Sequence, residues 1–136
     1  MNATLNELDP PDWGPAPPDS TGLVMRCHAL REKPLADFSV ENLRLMIGQQ
    51  IALPHLLPLA LGQLDENPLA EGDLYRGDLL NAVLGVDEEF WSKNLDLLED
   101  VRNVLDALEG ALRQLAEPIE RFRVYYGRAY GMVSSE

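Results

Sequence analysis

The sequence predicts an all-α, mainly helical fold: a compact multi-helix bundle with an extended proline-rich N-terminal arm. Three observations predict it. Apolar residues recur at spacings of three and four in residues 40–51 and again in residues 95–116. Between these segments, residues 56–64 are apolar around almost the whole helical circumference, which is typical of a helix at the centre of a bundle. The length of 136 residues suits one such domain.

The amino-terminal segment, residues 1–22, holds five of the ten prolines and shows no helical period. This composition predicts an extended arm, which Trp13 pins to the domain. After the arm, the run from Leu23 to Leu30 is compatible with either a short strand or a helix. Pro34 ends the element in both cases.

Two helices are predicted in the middle of the chain. Ser39 is a good N-cap for a helix that carries its apolar residues from Val40 to Ile51. Pro54 and Pro58 are two possible first-turn positions for a second helix that runs to about Glu66. This second helix is the predicted centre of the core, and the residues expected to be buried there are Leu57, Leu61 and Leu64.

Gln49 and Gln50 lie where the first of these helices ends and the second begins. Carbonyl groups at a helix end lack partners inside the helix, and a glutamine amide can donate hydrogen bonds to them. We therefore expect a structural role for both side chains, with Gln49 buried or half-buried and bonded to backbone at the junction.

The second half of the chain predicts three further helices. Gly77 and Asp78 offer an N-cap for residues 79–84, and Asp87 opens a short helix through Trp91. Residues 95–116 form a heptad seam, in which Leu105 and Leu108 are expected to pack into the bundle. Pro118 is expected to bend or end that helix.

The remaining residues, 118–136, are rich in arginine and tyrosine. Arginine beside aromatic residues can bind single-stranded nucleic acid, but the net negative charge of the molecule favours a tail that folds back onto its own acidic domain. The chain is thus divided into an arm (1–22), a helical domain (23–117) and a tail (118–136).

The charge distribution is strongly acidic. The net charge is −12, and residues 65–109 alone carry 13 acidic and three basic residues. Such a field repels nucleic acid and anionic membranes and attracts a basic partner, although excess acid also keeps a protein soluble. The chain shows no signal peptide and no membrane span, and its single cysteine, Cys27, excludes an intrachain disulfide. A cytoplasmic protein is expected.

No catalytic set is visible in the sequence. Metal binding needs several His, Cys or carboxylate ligands at suitable spacing, and Cys27, His28 and the distant His55 do not provide them. Neither a phosphate loop nor a dinucleotide fingerprint is present. We therefore predict that the protein is not an enzyme and uses no cofactor or metal, and that Cys27 is a buried packing residue.

Three stretches of the chain, taken together, resemble a known family. They are "CHALREKPLADFSVENLRLMIGQQIALPHLLPLAL", "ENPLAEGDLYRGDLLNAVL" and "EFW". The chain resembles immunity proteins of bacterial contact-dependent growth inhibition (CDI) systems over roughly residues 23–115. The resemblance implies a small cytosolic protein that binds and neutralises the toxic C-terminal domain of a large exoprotein, in many cases a nuclease.

Two other classes of function stay open from the residues alone. One is a helical adaptor or regulatory subunit that acts through protein–protein contacts of its heptad seam; the other is a small cysteine-dependent enzyme. For the immunity function, the expected partner is a basic toxin domain, with no direct nucleic acid and no membrane. Self-association is compatible with the seam but is not predicted.

The expected toxin-facing surface lies in the loops and helix starts between residues 65 and 89. Loops on a rigid scaffold commonly carry recognition, and tyrosine is enriched at binding hot spots. Trp91 is also an aromatic residue of a kind enriched at binding hot spots, but packing into the core explains it at least as well. The candidate interface residues are Glu71, Asp73, Tyr75, Asp78, Asp87, Glu88 and Glu89.

Overall fold

The computed structural model describes residues 2–131 and confirms the mainly α-helical prediction. Among these residues there are seven α-helices and no strand. The helices are α1 (Leu5–Leu8), α2 (Gly22–Leu30), α3 (Val40–Gly48), α4 (Leu53–Glu66), α5 (Asp78–Leu84), α6 (Glu88–Ser92) and α7 (Leu95–Ala129). None of the helices in the described part of the chain is long and apolar enough to cross a membrane.

Helices α2 and α3 each begin directly after a residue whose side chain caps the helix. The Thr21 side chain accepts a hydrogen bond from the Val24 N–H and caps α2. The segment for which the sequence allowed either a strand or a helix is therefore a helix. At α3, Ser39 accepts from the Asn42 N–H while the Asn42 side chain accepts from the Ser39 N–H. This reciprocal pair satisfies two backbone donors and fixes where α3 begins.

Helix α4 lies at the centre of the core and packs against α3, α5 and α7. It begins at Leu53, so Pro54 occupies the first turn and Pro58 lies inside the helix. Leu57 and Leu64 are fully buried, and Leu61 is 5% exposed. Leu59 is 39% exposed, so α4 is buried over one broad face and not all around.

The N-terminal residues are held against α2 by Arg31. Its side chain is fully buried, and its guanidinium donates to Asn6 Oδ1 (3.0 Å) and Asp9 Oδ2 (3.1 Å). The same guanidinium lies 4.4 Å from the centre of the Trp13 ring. Leu5, in the short helix α1, is fully buried in the core. The domain division at residue 22 stays a prediction.

Helix α7 does not end at Pro118, and the prediction that Pro118 bends or ends it near Ala116 is wrong in its boundary. The helix has 35 residues and is about 53 Å long at 1.5 Å per residue. Proline removes the N–H that would bond to the carbonyl of Gln114, and its ring crowds that carbonyl. Gln114 is exposed, so its carbonyl can tilt outward and bond to water while the helix continues.

The expected fold-back of the C-terminal tail is also wrong for the described residues. From Ala111 to Tyr130 every residue except Gly127 is exposed, and residues 118–129 belong to α7. In the seam, Val101 and Val104 are buried and Leu105 and Leu108 pack at the edge of the core. Residues 132–136 of the predicted tail lie outside the described residues.

The expected burial of Gln49 is wrong, and Gln50 makes the hydrogen bonds instead. Gln49 is exposed because it follows the last turn of α3 on the solvent side. Gln50 has a positive φ of 60°, and its amide reaches the turn between α5 and α6. There Nε2 donates to the Gly85 carbonyl (3.2 Å) and Oε1 accepts from the Asp87 N–H (3.2 Å). The amide therefore joins two helix junctions and does not bond to the carbonyls of its own junction.

We predict that Leu61→Ala lowers the free energy of unfolding by about 2–5 kcal/mol, because it leaves a cavity beside the centre of the core. Urea unfolding measures the loss. Leu59→Ala, the same change in the same helix at an exposed position, is the control and should have a small effect. Equal losses in the two variants would contradict the assigned orientation of α4.

We predict that Gln50→Ala lowers the free energy of unfolding by about 1 kcal/mol, since two hydrogen bonds to the turn at residues 85–87 are lost at a half-buried site. Gln49→Ala is the matched control and should be neutral. Chemical denaturation of both variants decides between them, and a larger loss in Gln49→Ala would restore the sequence-based assignment.

Candidate functional site

The connection between α4 and α5 forms a compact acidic loop, defined here as residues 71–76. Its two ends pair through an isolated antiparallel bridge between Glu71 and Arg76. Gly77 follows with a φ of 91°, a conformation that favours glycine, and its N–H donates to the Leu69 carbonyl (3.2 Å). The loop therefore returns the chain directly to the start of α5.

Asp78, the first residue of α5, fixes the backbone of this loop through hydrogen bonds. Its carboxylate accepts three backbone N–H bonds, from Gly72 (2.7 Å), Leu74 (3.0 Å) and Tyr75 (3.3 Å). Asp78 is only 2% exposed. The carboxylate is therefore directed at the loop backbone and little of it reaches the surface, so the structure gives Asp78 a supporting role, and its predicted contact with a partner stays a prediction.

Helix α3 supplies a second support through Glu41. Its Oε1 accepts from the Asp73 N–H (2.9 Å), while Arg44 donates to both carboxylate oxygens (2.6 Å each). Arg44 Nε also lies 3.9 Å from Asp78 Oδ2. A Cβ atom on Gly72 would lie 2.6 Å from Glu41 Oε1, so a side chain at this position would displace the Glu41 carboxylate. One arginine thus lies close to both carboxylates that position the loop and offsets part of their negative charge.

The pKa values of both carboxyl groups are lowered. Hydrogen bonds from Arg44 lower the pKa of Glu41, against an opposing effect of burial. Burial by itself would raise the pKa of Asp78, but the three N–H bonds and the charge of Arg44 outweigh it and the net direction is down. Both groups are therefore ionised at neutral pH, and the loop backbone is fixed by charge-assisted hydrogen bonds.

The side chains of the loop point outward. Glu71 and Asp73 are exposed, Leu74 is 67% exposed and Tyr75 is 43% exposed. The Tyr75 hydroxyl accepts a 2.6 Å hydrogen bond from the Asn81 side chain, which orients the ring over the outer side of α5. A rigid loop backbone therefore presents two carboxylates, an aliphatic side chain and an aromatic ring to solvent.

A second acidic group, Asp87, Glu88 and Glu89, opens α6. All three side chains are exposed, and the Asp87 N–H is held by Gln50. Helix α5 separates this group from the acidic loop by about 10 Å of helix. The structure therefore places the exposed sequence-predicted residues at the two ends of α5.

Trp91 belongs to the packed side of α6. It is half-buried against the core and makes an edge-on contact with Phe90, with ring centres 5.5 Å apart. With Leu84, Leu98 and Leu105 it lines a largely apolar groove between α5, α6 and α7. The groove adjoins the acidic start of α6.

The residues that suggested chemistry have packing roles. Cys27 is buried, and burial raises the pKa of its thiol against the smaller effect of Arg26. His28 Nδ1 lies 3.0 Å from the Gly14 carbonyl, and its ring packs 5.0 Å from Trp13. No hydrogen bond joins Cys27 to a histidine within residues 2–131, and no cluster of metal-binding side chains occurs there.

Sequence reasoning missed Glu41 and Arg44 as parts of this site. Their spacing of three residues on a helix predicts only a surface ion pair. The distance of 32 residues between Glu41 and Asp73 leaves no local signal for their contact.

Comparison with protein families gives one finding. A family model described as CDI immunity proteins matches residues 7–101, which include α2 to α6, the acidic loop and the residues that support it. No curated protein and no solved structure matches the chain.

We predict that Asp78→Asn lowers the free energy of unfolding by about 1.5–3 kcal/mol at neutral pH, because an amide cannot accept all three N–H bonds. The lowered pKa of Asp78 stabilises the folded state above the ordinary aspartate pKa of about 3.9. That contribution is lost as the pH falls through the ordinary and then the folded value. The difference in the free energy of unfolding between Asp78→Asn and wild type should therefore shrink below about pH 4.

Urea unfolding between neutral and acid pH tests this prediction, and Asp73→Asn is the control because its exposed carboxylate supports no described hydrogen bond. A destabilisation by Asp78→Asn that does not depend on pH would contradict the role of the ionised carboxylate.

Proposed function

Because the chain belongs to the family of CDI immunity proteins, we propose that it binds the C-terminal toxin domain of a contact-dependent growth inhibition exoprotein and neutralises it. The protein acts in the cytoplasm, on a toxin that comes from sibling cells or from its own operon. Binding alone suffices for such a function. It needs a preformed surface that is complementary to the toxin and no catalytic group.

The acidic loop supports this proposal most directly. Its backbone is fixed by Asp78 and Glu41, so little conformational entropy is lost when its side chains bind a partner. Glu71, Asp73 and Tyr75 project from this fixed backbone. Carboxylates beside an aromatic ring can pair with lysine and arginine while the ring supplies apolar contact area.

The charge of the molecule supports a basic toxin, and a nuclease in particular. A nuclease binds phosphate groups with Lys and Arg, and carboxylates of an inhibitor can occupy the places of those phosphates. The acidic group at the start of α6 extends the negative surface past the far end of α5. We propose that Asp87, Glu88 and Glu89 form the rim of the toxin interface, whereas Asp78 acts only through the loop.

The proposal is tested by co-expression with the toxin domain encoded beside this protein. Wild type should protect the cell and form a complex that survives gel filtration. Growth arrest despite normal levels of soluble immunity protein would contradict the proposed function.

We predict that Glu71→Gln/Asp73→Asn lowers the association rate with the toxin domain about tenfold at low salt, because charges at an interface steer the encounter of two proteins. The effect should diminish at physiological salt, where the Debye length is about 8 Å. Stopped-flow association over a salt series provides the measurement.

The control is Asp106→Asn/Glu117→Gln, which removes the same charge from exposed positions of α7. If both double variants slow association equally, the effect reflects net charge and the acidic loop is not the interface. A rate that does not depend on salt would contradict electrostatic steering altogether.

A further inference from the structure

The heptad seam of α7 continues far beyond the core. After Leu98, Val101, Leu105 and Leu108, the same alternation of three and four residues extends through an exposed seam, defined here as Leu112, Leu115, Ile119, Phe122 and Tyr126. These side chains are 44–65% exposed. Val101, Leu105 and Leu108 therefore pack on the protein's own core, whereas the exposed seam is uncovered.

An apolar stripe of this length indicates a helical partner. The alternation is sustained over four heptads from Leu98 to Tyr126, the pattern of a coiled-coil seam. Large exposed apolar patches rimmed by polar residues mark interaction sites. The matched family region ends at residue 101, so the exposed seam lies outside the part of the chain that defines the immunity family.

We propose that the partner is a second copy of this chain, with the two α7 helices packed antiparallel along the exposed seam. In that arrangement Leu115 of one copy faces Ile119 of the other and Leu112 faces Phe122, while Tyr126 lies beside Leu108, which is half-buried at the edge of the core. Each contact occurs twice, because the two helices are related by a two-fold axis near Glu117. The paired segment, residues 108–126, is about 28 Å long at 1.5 Å per residue.

The charges beside the seam favour this occupant and this orientation. Glu109 and Arg123 follow Leu108 and Phe122 directly, so they occupy the same flanking position of the heptad, where interhelical ion pairs form. In the antiparallel pair, Glu109 of each copy lies beside Arg123 of the other. A parallel pair would instead place each of these residues at the level of its own counterpart.

The charge of the whole helix agrees with this orientation. Residues 104–117, which lie beside residues 117–130 of the other copy in this register, carry three acidic residues and one arginine, whereas residues 119–130 carry one acidic residue and three arginines. Antiparallel pairing brings the acidic half of each helix beside the basic end of the other. The net charge of −12 on each chain opposes association at long range, so the dimer should strengthen as salt rises from low to physiological.

Sedimentation equilibrium of the full chain, from micromolar to submillimolar concentration at physiological salt, tests the dimer. Wild type should associate reversibly, and Ile119→Asp should weaken association at least tenfold. Val124→Asp is the matched control: the same kind of change in the next turn of α7, away from the seam, should leave the dimer intact. Both positions are exposed, and circular dichroism checks that both variants fold.

The orientation is tested by exchanging the flanking charges. Glu109→Arg and Arg123→Glu should each weaken the dimer, because like charges then face each other across the seam, and the double variant should restore it. Wild type that stays monomeric at all concentrations would overturn the proposal. So would a double variant weaker than both single variants, or an Ile119→Asp variant that loses toxin binding while wild type is monomeric.

Discussion

The architecture of the proposed binding surface depends on one buried carboxylate. Asp78 lies at the start of α5 and accepts three N–H bonds from the loop that precedes it, so loop and helix hold each other in place. Arg44 makes this possible, because its charge lies close to both Asp78 and Glu41 and offsets the cost of bringing two carboxylates together. Loss of the ionised state at either carboxyl group weakens the hydrogen bonds that hold the loop backbone.

The hydrophobic core supplies the frame for this interaction. Helix α4 packs against α3 and α5, and these are the two helices that carry Glu41 and Asp78. The site is therefore built on rigid elements, and its specificity resides in the side chains that the loop exposes. Helix α7 covers α4 with its first turns only, which leaves the rest of its length available for a different interaction.

The sequence predicts the elements of this fold well and their connections less well. Periodicity and capping locate α3, α4 and the start of α7, because these signals are local. Gln49 and Gln50 show the limit: both follow a helix end, and only the positive φ of Gln50 decides which amide turns inward. The same limit applies at Asp78, whose neighbours suggest an exposed acidic loop. Its burial follows from the contact of α3 with α5, which no pattern within the loop encodes. The local rule that proline ends a helix predicted a helix end near Pro118. Helix α7 continues there because Gln114 is exposed and its carbonyl can bond to water.

We propose that the acidic loop faces the toxin. Oxidative footprinting tests this most directly, because it compares the free protein with its complex with the cognate toxin domain. Tyr75 is 43% exposed in the free chain, and Trp13 is a comparably exposed aromatic residue at 39% that is far from the loop in sequence. Complex formation should suppress oxidation of Tyr75 and leave oxidation of Trp13 unchanged. Unchanged oxidation of Tyr75 in a stable complex would contradict it.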